Sequence, residues 1–227
     1  MKLIMKKFVI IVAGGSGKRM GTEIPKQFLL LGEKPVLMHT IEKFYAYQSD
    51  IEIIVVLPDH QIEYWETIKN DYKFTIRHTV VSGGEERFFS VKNGLKAIDH
   101  HQGLVAVHDG VRPCVSNETI EQCYKLAENT GSAVPFNDLS ESIRYVDGIS
   151  HYVVNRNNYK TIQTPQIFDL SKLKKAYELP FKEEFTDDAT VFENAGFKIH
   201  LVKGNRENIK ITQPQDLEIA KLLLSKT

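Results

Sequence analysis

The chain has 227 residues, of which 42% are hydrophobic, so its length allows one large core and predicts a single domain over residues 1–227. Lysine plus arginine and aspartate plus glutamate each total 29, which excludes the overall positive charge that holds nucleic acid by its phosphates. Two cysteines are too few for a disulfide framework, and the apolar run at residues 8–13 is too short to span a bilayer, so we expect a cytoplasmic protein without membrane contact.

The first predicted element is a buried strand over residues 8–12, which ends at a glycine-rich loop, Ala13-Gly14-Gly15-Ser16-Gly17. Three glycines within four residues allow positive φ angles and let backbone N–H groups converge on phosphate oxygens. The nearby side chains of Lys18, Arg19 and Lys26 add positive charge. The loop lacks the Ser or Thr that a Walker loop needs after its lysine, and it has only half of the dinucleotide fingerprint. It is therefore a candidate phosphate-binding loop of another kind, with an ordinary strand-to-helix turn as the alternative.

Apolar periodicity then predicts alternating helices and strands. Helical spacing covers residues 36–47 and 61–70, and apolar runs predict strands over residues 51–57 and 75–81. This alternation is typical of βαβ units, whose ligands bind at the carboxyl ends of the strands. The sequence predicts an α/β fold, with a Rossmann-like, mainly parallel sheet flanked by helices.

A second glycine turn follows the strand predicted at residues 75–81. Residues 82–91 have the sequence SGGEERFFSV and precede a helix that runs to about residue 98. Beside the first loop, this turn could bind a base and ribose through its backbone and the hydroxyl of Ser90. The alternative is a helix N-cap with a turn.

A central strand at residues 104–107 stops at the sequence HDGVRP, residues 108–113. A carboxylate at the end of a buried strand, next to a glycine, suits Mg²⁺ when triphosphate oxygens complete its coordination. Asp109 is therefore the candidate metal ligand. Its alternative role is to cap the turn or to pair with Arg112, and His108 is expected to be structural, because phosphoryl attack by a phosphate monoester needs no strong base.

A hairpin is predicted where two alternating runs flank Asp147-Gly148. A hairpin inserted in a parallel α/β core has strand edges to hide, so residues 138–155 or so are expected to form a dimerisation arm. The other predicted elements are helices at residues 117–129, 170–177 and 214–224, a helix that opens in residues 185–192, and strands at residues 132–136 and 198–202.

Lys210 is a further candidate site residue. It stands between Ile209 and Ile211 in a β-like alternation in which the two isoleucines face inward. Its side chain should point the other way, either toward a ligand or simply into solvent.

Six sequence blocks, spaced over nearly the whole chain, together resemble one family, the 2-C-methyl-D-erythritol 4-phosphate cytidylyltransferases. The blocks are AGGSGKRM, PKQ, GGEERFFSV, HDGVRP, QTPQ and ENIKITQPQDL. The resemblance implies transfer of CMP from CTP to methylerythritol phosphate, with release of pyrophosphate, a requirement for Mg²⁺, and a homodimer that exchanges its arms. The charges of the two reactants favour an in-line displacement in which cations neutralise the α-phosphoryl group, without a covalent intermediate.

The resemblance also implies a role for each candidate residue. The implied catalytic cations are Arg19, Lys26 and Lys210. The implied nucleotide-binding residues are Ala13, Gly14, Gly15, Gly17, Lys18, Gly84, Glu85 and Ser90. Asp109 would hold the metal, and the implied residues around methylerythritol phosphate are Asp109, Arg112, Thr164 and Arg156, of which Arg156 would reach the neighbouring subunit's site.

Two other functions fit parts of this pattern. A ribitol-5-phosphate cytidylyltransferase would share the glycine loop, HDxVRP and QTPQ, but Asn155-Arg156-Asn157 and the ENIKIT block favour methylerythritol phosphate. A regulatory nucleotide-binding protein would be expected to have lost a cation or the acid. The chain departs from the family pattern at Asn155, where Asp is frequent, and at residues 135–142, where a P-x-x-D-T element is usual.

Overall fold

The structure is a computed structural model, and it describes residues 5–15, 21 and 24–225. The strands are β1 (Lys7–Val12), β2 (Leu30–Leu31), β3 (Lys34–Pro35), β4 (Glu52–Leu57), β5 (Thr79–Ser82), β6 (Leu104–Asp109), β7 (Ser132–Asp138), β8 (Arg144–Asp147), β9 (Ser150–Val153), β10 (Lys160–Ile162), β11 (Gln166–Asp169) and β12 (Leu201–Lys203). The helices are α1 (Val36–Tyr47), α2 (Asp59–Asp71), α3 (Arg87–Lys96), α4 (Asn117–Thr130), α5 (Leu170–Ala176), α6 (Asp188–Asn194) and α7 (Pro214–Leu224).

The central sheet has eight strands in the order β10-β7-β11-β6-β1-β4-β5, with β12 paired to β7. The strands β6, β1, β4 and β5 are parallel neighbours, as the sequence predicted. On the other side of β6 the sheet is mixed, because β11 runs antiparallel to both β6 and β7. The carboxyl ends of β1, β4 and β6 therefore lie at one edge, next to the antiparallel start of β11.

Helices cover both faces of this sheet because its central strands are apolar on both sides. Val9 and Ile11 of β1 pack in one core with side chains of α1, α2 and α4. Phe8 and Ile10, which alternate with them, pack in a second core with side chains of α3, α5 and α6. Two buried faces explain the continuous apolar runs of these strands. The predicted Rossmann-like α/β fold is confirmed.

Three segments differ from the sequence prediction. β5 begins at Thr79 instead of residue 75, because the ring of His78 donates to the carbonyl of Ile76 and accepts from the Trp65 indole at 3.1 Å. β12 covers residues 201–203 instead of 198–202. α6 begins only at Asp188, because Asp187 is its N-cap and accepts the backbone N–H of Thr190.

The predicted hairpin is present as the two-stranded sheet β8-β9, apart from the central sheet. Gly148, at the turn, has a φ of 56°, a conformation that glycine adopts without the strain of a Cβ. The apolar side chains of this hairpin are exposed in the single chain, and Ile149 is 100% exposed. We call residues 138–155 the arm.

Both cysteines, Cys114 and Cys123, are buried and not joined in a disulfide. Burial raises the pKa of the Cys114 thiol to about 11 and that of Cys123 to about 12, so neither is a reactive thiolate at neutral pH. No helix within the described residues is both long and apolar enough to cross a membrane.

The close packing of α3 on β1 gives a stability prediction. A Cβ at Gly94 would lie 2.7 Å from Cγ2 of Ile10 and 3.2 Å from Cγ2 of Val56. Gly94→Val should therefore lower the free energy of unfolding by about 1–3 kcal/mol, the usual cost of overpacking. Urea unfolding would measure this, with Lys96→Val, at an exposed position of the same helix, as the control for valine in a helix. Equal stability of the two variants would contradict this packing.

Candidate active site

A cavity of about 290 Å³ lies where β1 and β6 end. The residues that line it come from the first glycine loop, the turn after β5, the end of β6 and the segment before α7. They are Val12, Ala13, Gly14, Gly15, Lys26, Gln27, Gly84, Glu85, Glu86, Arg87, Ser90, Asp109, Val111 and Lys210. We call this space the first cavity. Most of the predicted nucleotide-binding residues are thus brought together.

The first glycine loop is placed at this cavity as predicted, through Gly14 and Gly15. Neither residue has a positive φ, and among the described residues a Cβ on either glycine would meet only ordinary van der Waals contacts. A Cβ on Gly15 would lie 3.4 Å from Cε of Lys26, a buried lysine that is only 8% exposed. The predicted residues Gly17, Lys18 and Arg19 lie outside the described residues.

Gln27 holds this loop from behind. Its side-chain amide donates to the Ala13 carbonyl at 2.8 Å and to Oε1 of Gln61 at 2.7 Å. The Ala13 N–H in turn donates to the Val56 carbonyl at 2.9 Å. In the sequence, Gln27 stands out only as part of the PKQ block. Its role as an anchor follows from its complete burial, because buried polar side chains are usually hydrogen-bonded.

The second glycine turn forms the opposite wall. The backbone N–H of Gly84 donates to the Ser90 hydroxyl at 3.1 Å, and Ser90 is almost fully buried. A Cβ on Gly84 would lie 2.3 Å from Cβ of Phe89, so this backbone accepts only glycine without rearrangement. Glu85 also lines the cavity. Ser90 therefore stabilises the turn and also lines the first cavity, whereas the N-cap of α3 is Glu86, whose side chain accepts no capping hydrogen bond.

Asp109 is buried at the end of β6 and is surrounded by three cations. Its Oδ2 lies 3.0 Å from Nε of Arg112 and 3.1 Å from Nζ of Lys210, and its Oδ1 lies 3.9 Å from Nε of Arg87. Burial alone would raise the pKa of this carboxyl, but the three cations outweigh it and hold the pKa well below its ordinary value. Asp109 is thus an anion at neutral pH, and its predicted pairing with Arg112 is present.

A hydrogen-bonded chain lies behind Asp109. Its backbone N–H donates to the Thr164 hydroxyl at 3.0 Å, and that oxygen lies 3.1 Å from Nδ1 of His108. Burial lowers the pKa of His108 to about 4, so the ring is neutral. Nε2 lies 3.1 Å from the Arg112 carbonyl, which can only accept, so Nε2 carries the proton and Nδ1 accepts from Thr164. His108 is structural, as predicted. The Thr164 hydroxyl donates its only proton to Nδ1 of His108 and has none left to donate to a ligand.

A second cavity, of about 260 Å³, adjoins the first. It is lined by Arg87, Asp109, Arg112, Ile162, Gln163, Thr164, Gln166, Thr186, Asp187 and Lys210. Three charged residues, Arg87, Asp109 and Lys210, line both cavities. We call this meeting place the junction. The predicted residues Arg112 and Thr164 face the second cavity and not the first.

Lys210 reaches the junction from a segment that is not a strand, contrary to the predicted β-like alternation. Ile211 is buried and its N–H donates to the Val111 carbonyl at 2.9 Å, whereas Ile209 is half-buried. Nη1 of Arg112 donates to the Asn208 carbonyl at 2.8 Å and so fixes the same segment. The Lys210 side chain points away from the buried Ile211 and toward Asp109, because hydrogen bonds at Asn208 and Ile211 hold the backbone on both sides of it.

Arg156 lies in neither cavity of its own chain, and its guanidinium donates to the Ser140 carbonyl in the arm, so its predicted place in the neighbouring subunit's site stays a prediction. Arg87 is not among the residues predicted from the sequence, yet it lines both cavities and pairs with the buried Asp188. The only sequence signal for Arg87 was its position directly after the second glycine turn.

Among the described residues, no group of three or more His, Cys, Asp or Glu side chains could hold a metal ion. At the predicted ligand Asp109, oxygens of a substrate and water would complete the coordination of a metal. Mg²⁺ suits such a site, because it keeps several waters and commonly uses one or two carboxylates with phosphate oxygens.

Comparison with known proteins shows the family of this chain. The family model of 2-C-methyl-D-erythritol 4-phosphate cytidylyltransferase matches residues 7–226. The enzyme of that name from Phocaeicola vulgatus is 51% identical over 220 residues, which cover 97% of this chain and 100% of that protein. The one from Porphyromonas gingivalis strain W83 is 48% identical over 221 residues, 97% of this chain and 98% of that protein.

The chain is also similar to solved structures over nearly its full length. The crystal structure of 4-diphosphocytidyl-2C-methyl-D-erythritol synthase from Anaerococcus prevotii has a TM-score of 0.82 and 29% identity, over 97% of this chain and 99% of that one. The Thermus thermophilus cytidylyltransferase has a TM-score of 0.77 and 28% identity, over 99% of this chain and 100% of that one. The match of the whole chain, together with the assembled site, shows that this protein belongs to the 2-C-methyl-D-erythritol 4-phosphate cytidylyltransferase family and is a nucleotidyltransferase.

Proposed function

We propose that the first cavity binds CTP, that the second binds methylerythritol phosphate, and that CMP transfer occurs at the junction. The observation that carries this proposal is the sharing of Arg87, Asp109 and Lys210 by both cavities. A reaction that joins two phosphates needs their reacting atoms next to each other and their negative charges neutralised. The relatives from Phocaeicola vulgatus and Porphyromonas gingivalis both carry the methylerythritol phosphate name, and nothing favours the ribitol phosphate alternative.

The nucleotide is proposed to lie between the two glycine turns. Gly84, Glu85 and Ser90 would contact the cytidine, because backbone and hydroxyl groups can distinguish base edges that a charge cannot. Ala13, Gly14 and Gly15, with Gly17, Lys18 and Arg19 beyond the described residues, would hold the triphosphate. Lys26, almost fully buried against Gly15, supplies a cation that needs no reorganisation during the reaction.

Asp109 fits as the protein ligand of Mg²⁺. Its Oδ2 contacts Arg112 and Lys210, whereas Oδ1 lies 3.9 Å from Nε of Arg87, which is longer than a hydrogen bond. Oδ1 could therefore take a place in an octahedron completed by triphosphate oxygens and water. The metal would supply charge neutralisation on the phosphate chain. Lys210 would then be able to turn from Asp109 toward the α-phosphate.

Arg112 and Thr164 are proposed to face methylerythritol phosphate in the second cavity. The guanidinium of Arg112 can bind a phosphate, although it also pairs with Asp109. The Thr164 hydroxyl donates to His108 and accepts from the N–H of Asp109, so it has one lone pair left. It can accept a hydrogen bond from a polyol hydroxyl but cannot donate one to a phosphate oxygen. Thr164 would thus bind a hydroxyl group of the polyol and not the phosphate.

The proposed transfer depends on neutralisation of the negative charges of the phosphates more than on acid–base catalysis. The attacking phosphate is an anion that approaches a polyanion, and charge builds up on the α-phosphoryl group during in-line displacement. Lys26, Lys210 and Arg19 are the proposed cations that stabilise this charge. Lys26 is almost fully buried, so it would stabilise the transition state more than a mobile cation in water would.

The protein is proposed to act as a homodimer through its arm. In the single chain Val146 is 65% exposed, Tyr152 57% and Val153 71%. A two-stranded hairpin of four residues a side is marginally stable alone, and this much apolar surface would be covered by a partner. Contact of each arm with its copy would carry Arg156 toward the neighbouring subunit's second cavity.

The free, buried cysteines also support the proposed cytoplasmic location.

The role of Lys26 gives a direct prediction. Lys26→Ala should lower turnover by at least about 10²-fold, because loss of one donor to the transition state costs about 2.7–4 kcal/mol. Pyrophosphate release from CTP and methylerythritol phosphate measures it. Lys34→Ala, which removes an exposed lysine that pairs with Glu42, is the matched control and should keep its activity. A turnover of Lys26→Ala close to that of the control would contradict the assignment.

The metal assignment predicts the behaviour of Asp109→Asn. An amide is neutral and a poorer ligand for a hard cation, so the Mg²⁺ concentration for half-maximal activity should rise at least about tenfold. Asp71→Asn, at the exposed end of α2, serves as the control. Thermal unfolding of both variants is measured as well, because Asp109→Asn leaves three cations without their anion. An unchanged Mg²⁺ dependence would place the metal elsewhere.

The exchanged arm predicts complementation between two inactive chains. Arg156→Ala and Lys26→Ala homodimers should each be nearly inactive. In a mixed dimer, one site combines the intact Lys26 of one chain with the intact Arg156 of the other. Random exchange puts half of the dimers in the mixed form, so about a quarter of the wild-type activity should return. Verified subunit exchange without recovered activity would show that Arg156 acts within its own chain or not at all.

A further inference from the structure

The structure contains a buried carboxylate to which the proposed reaction assigns no role. Asp188 is fully buried and accepts three hydrogen bonds. Its Oδ1 accepts from Nη1 of Arg87 at 3.0 Å and from the Tyr177 hydroxyl at 2.6 Å, and its Oδ2 accepts from Nη2 of Arg87 at 2.6 Å. Arg87 and Asp188 are 101 residues apart in sequence, so the pair exists only in the assembled fold.

Arg87 connects this carboxylate to the junction. It is the first residue of α3, directly after the second glycine turn, and its side chain is 31% exposed. Asp188 lines neither cavity, whereas Arg87 lines both. With both Nη atoms bound to Asp188, the Nε edge is left toward the site, 3.9 Å from Oδ1 of Asp109. The Asp188 carboxylate therefore contacts neither cavity itself, and its hydrogen bonds connect it to both through Arg87.

The bidentate geometry of this ion pair indicates that Asp188 orients the guanidinium group of Arg87. Burying an ion pair gives little net stability, because desolvation offsets most of the attraction. A bidentate contact, in contrast, fixes the plane of a guanidinium group. The Tyr177 hydroxyl neutralises no charge, but it adds a third point of attachment that fixes the carboxylate itself. The result is a cation whose free edge has a defined direction.

We propose that Asp188 and Tyr177 are positioning residues that hold the Arg87 guanidinium at the junction, where its Nε edge binds an oxygen of the phosphoryl group in transfer. The proposal rests on the assignment of the two cavities given above. Arg87 would then stabilise charge that develops in the transition state. Loss of its orientation should lower kcat and leave the KM of both substrates nearly unchanged.

The first test compares Asp188→Asn with Glu193→Gln, which changes an exposed carboxylate of the same helix. We expect Asp188→Asn to lower kcat by about 10²-fold with KM changed by less than about threefold, and the control to keep its kcat. Tyr177→Phe keeps both charges and is expected to lower kcat by about threefold to tenfold. Turnover is expressed per folded molecule, from thermal unfolding curves of each variant.

The second test asks whether Asp188 acts through Arg87. In an Arg87→Met background the positioned cation is absent, so Asp188→Asn should cause no further loss of kcat. The double variant removes both charges and avoids an isolated buried carboxylate. Losses that multiply in the double variant would overturn the proposal, as would an unchanged kcat per folded molecule in Asp188→Asn. If Asp188→Asn does not fold, an unchanged kcat in Tyr177→Phe would overturn it.

Lys26→Ala, measured in parallel, separates this inference from the proposed function. If Lys26→Ala loses activity while Asp188→Asn keeps it, the inference about Asp188 fails and the assignment of the cavities stands. If both variants keep their activity, the assignment of the first cavity fails, and the inference fails with it.

Discussion

The site depends on the charge of Asp109, a buried carboxylate that three cations keep ionised at the end of the central strand β6. Arg87 comes from the start of α3, Arg112 from the turn after β6, and Lys210 from the loop before α7. A buried anion without these partners would be strongly destabilised, and three clustered cations without the anion would repel each other. The charges therefore fix the relative positions of segments that are far apart in sequence, and the site forms only when the whole fold has formed.

The same arrangement explains why two cavities meet at this point. Strands of a parallel sheet end at one edge, and the loops that follow them can enclose a ligand there. On the β1 side two glycine turns line the first cavity, which is the proposed nucleotide site. On the β11 side the link between β10 and β11 brings the Thr164 hydroxyl to the backbone N–H of Asp109. One ligand from each side would place its phosphate at the shared cations, where partial burial strengthens every charge interaction.

Much of the fold could be predicted from the sequence, because the apolar runs of β1, β4 and β6 and the Asp147-Gly148 turn are local signals. The position of Asp109 and the two glycine turns follows from the same local patterns. The pairing of Arg87 with Asp188 could not be predicted, because it joins residues 101 positions apart that carry no shared pattern. The later start of β5 and the irregular backbone at Lys210 depend on individual hydrogen bonds, which the periodicity of apolar residues does not reveal.

Arg156 shows a different limit of sequence reasoning. Its position next to the arm could be seen in the sequence, but its absence from both cavities of its own chain could be recognised only from the structure. A residue that acts across a subunit boundary has no local signal, because its partner groups belong to another copy of the chain. Its proposed role therefore depends on how the exposed arm is covered.

The most direct measurement is a crystal structure of the protein with CDP-methylerythritol, the product that would span both proposed cavities. We expect the diphosphate at the junction, within hydrogen-bond distance of Arg87 and Lys210. The cytidine should lie against Gly84 and Ser90, and the polyol should face Thr164. A diphosphate bound away from Arg87, Asp109 and Lys210 would contradict the account.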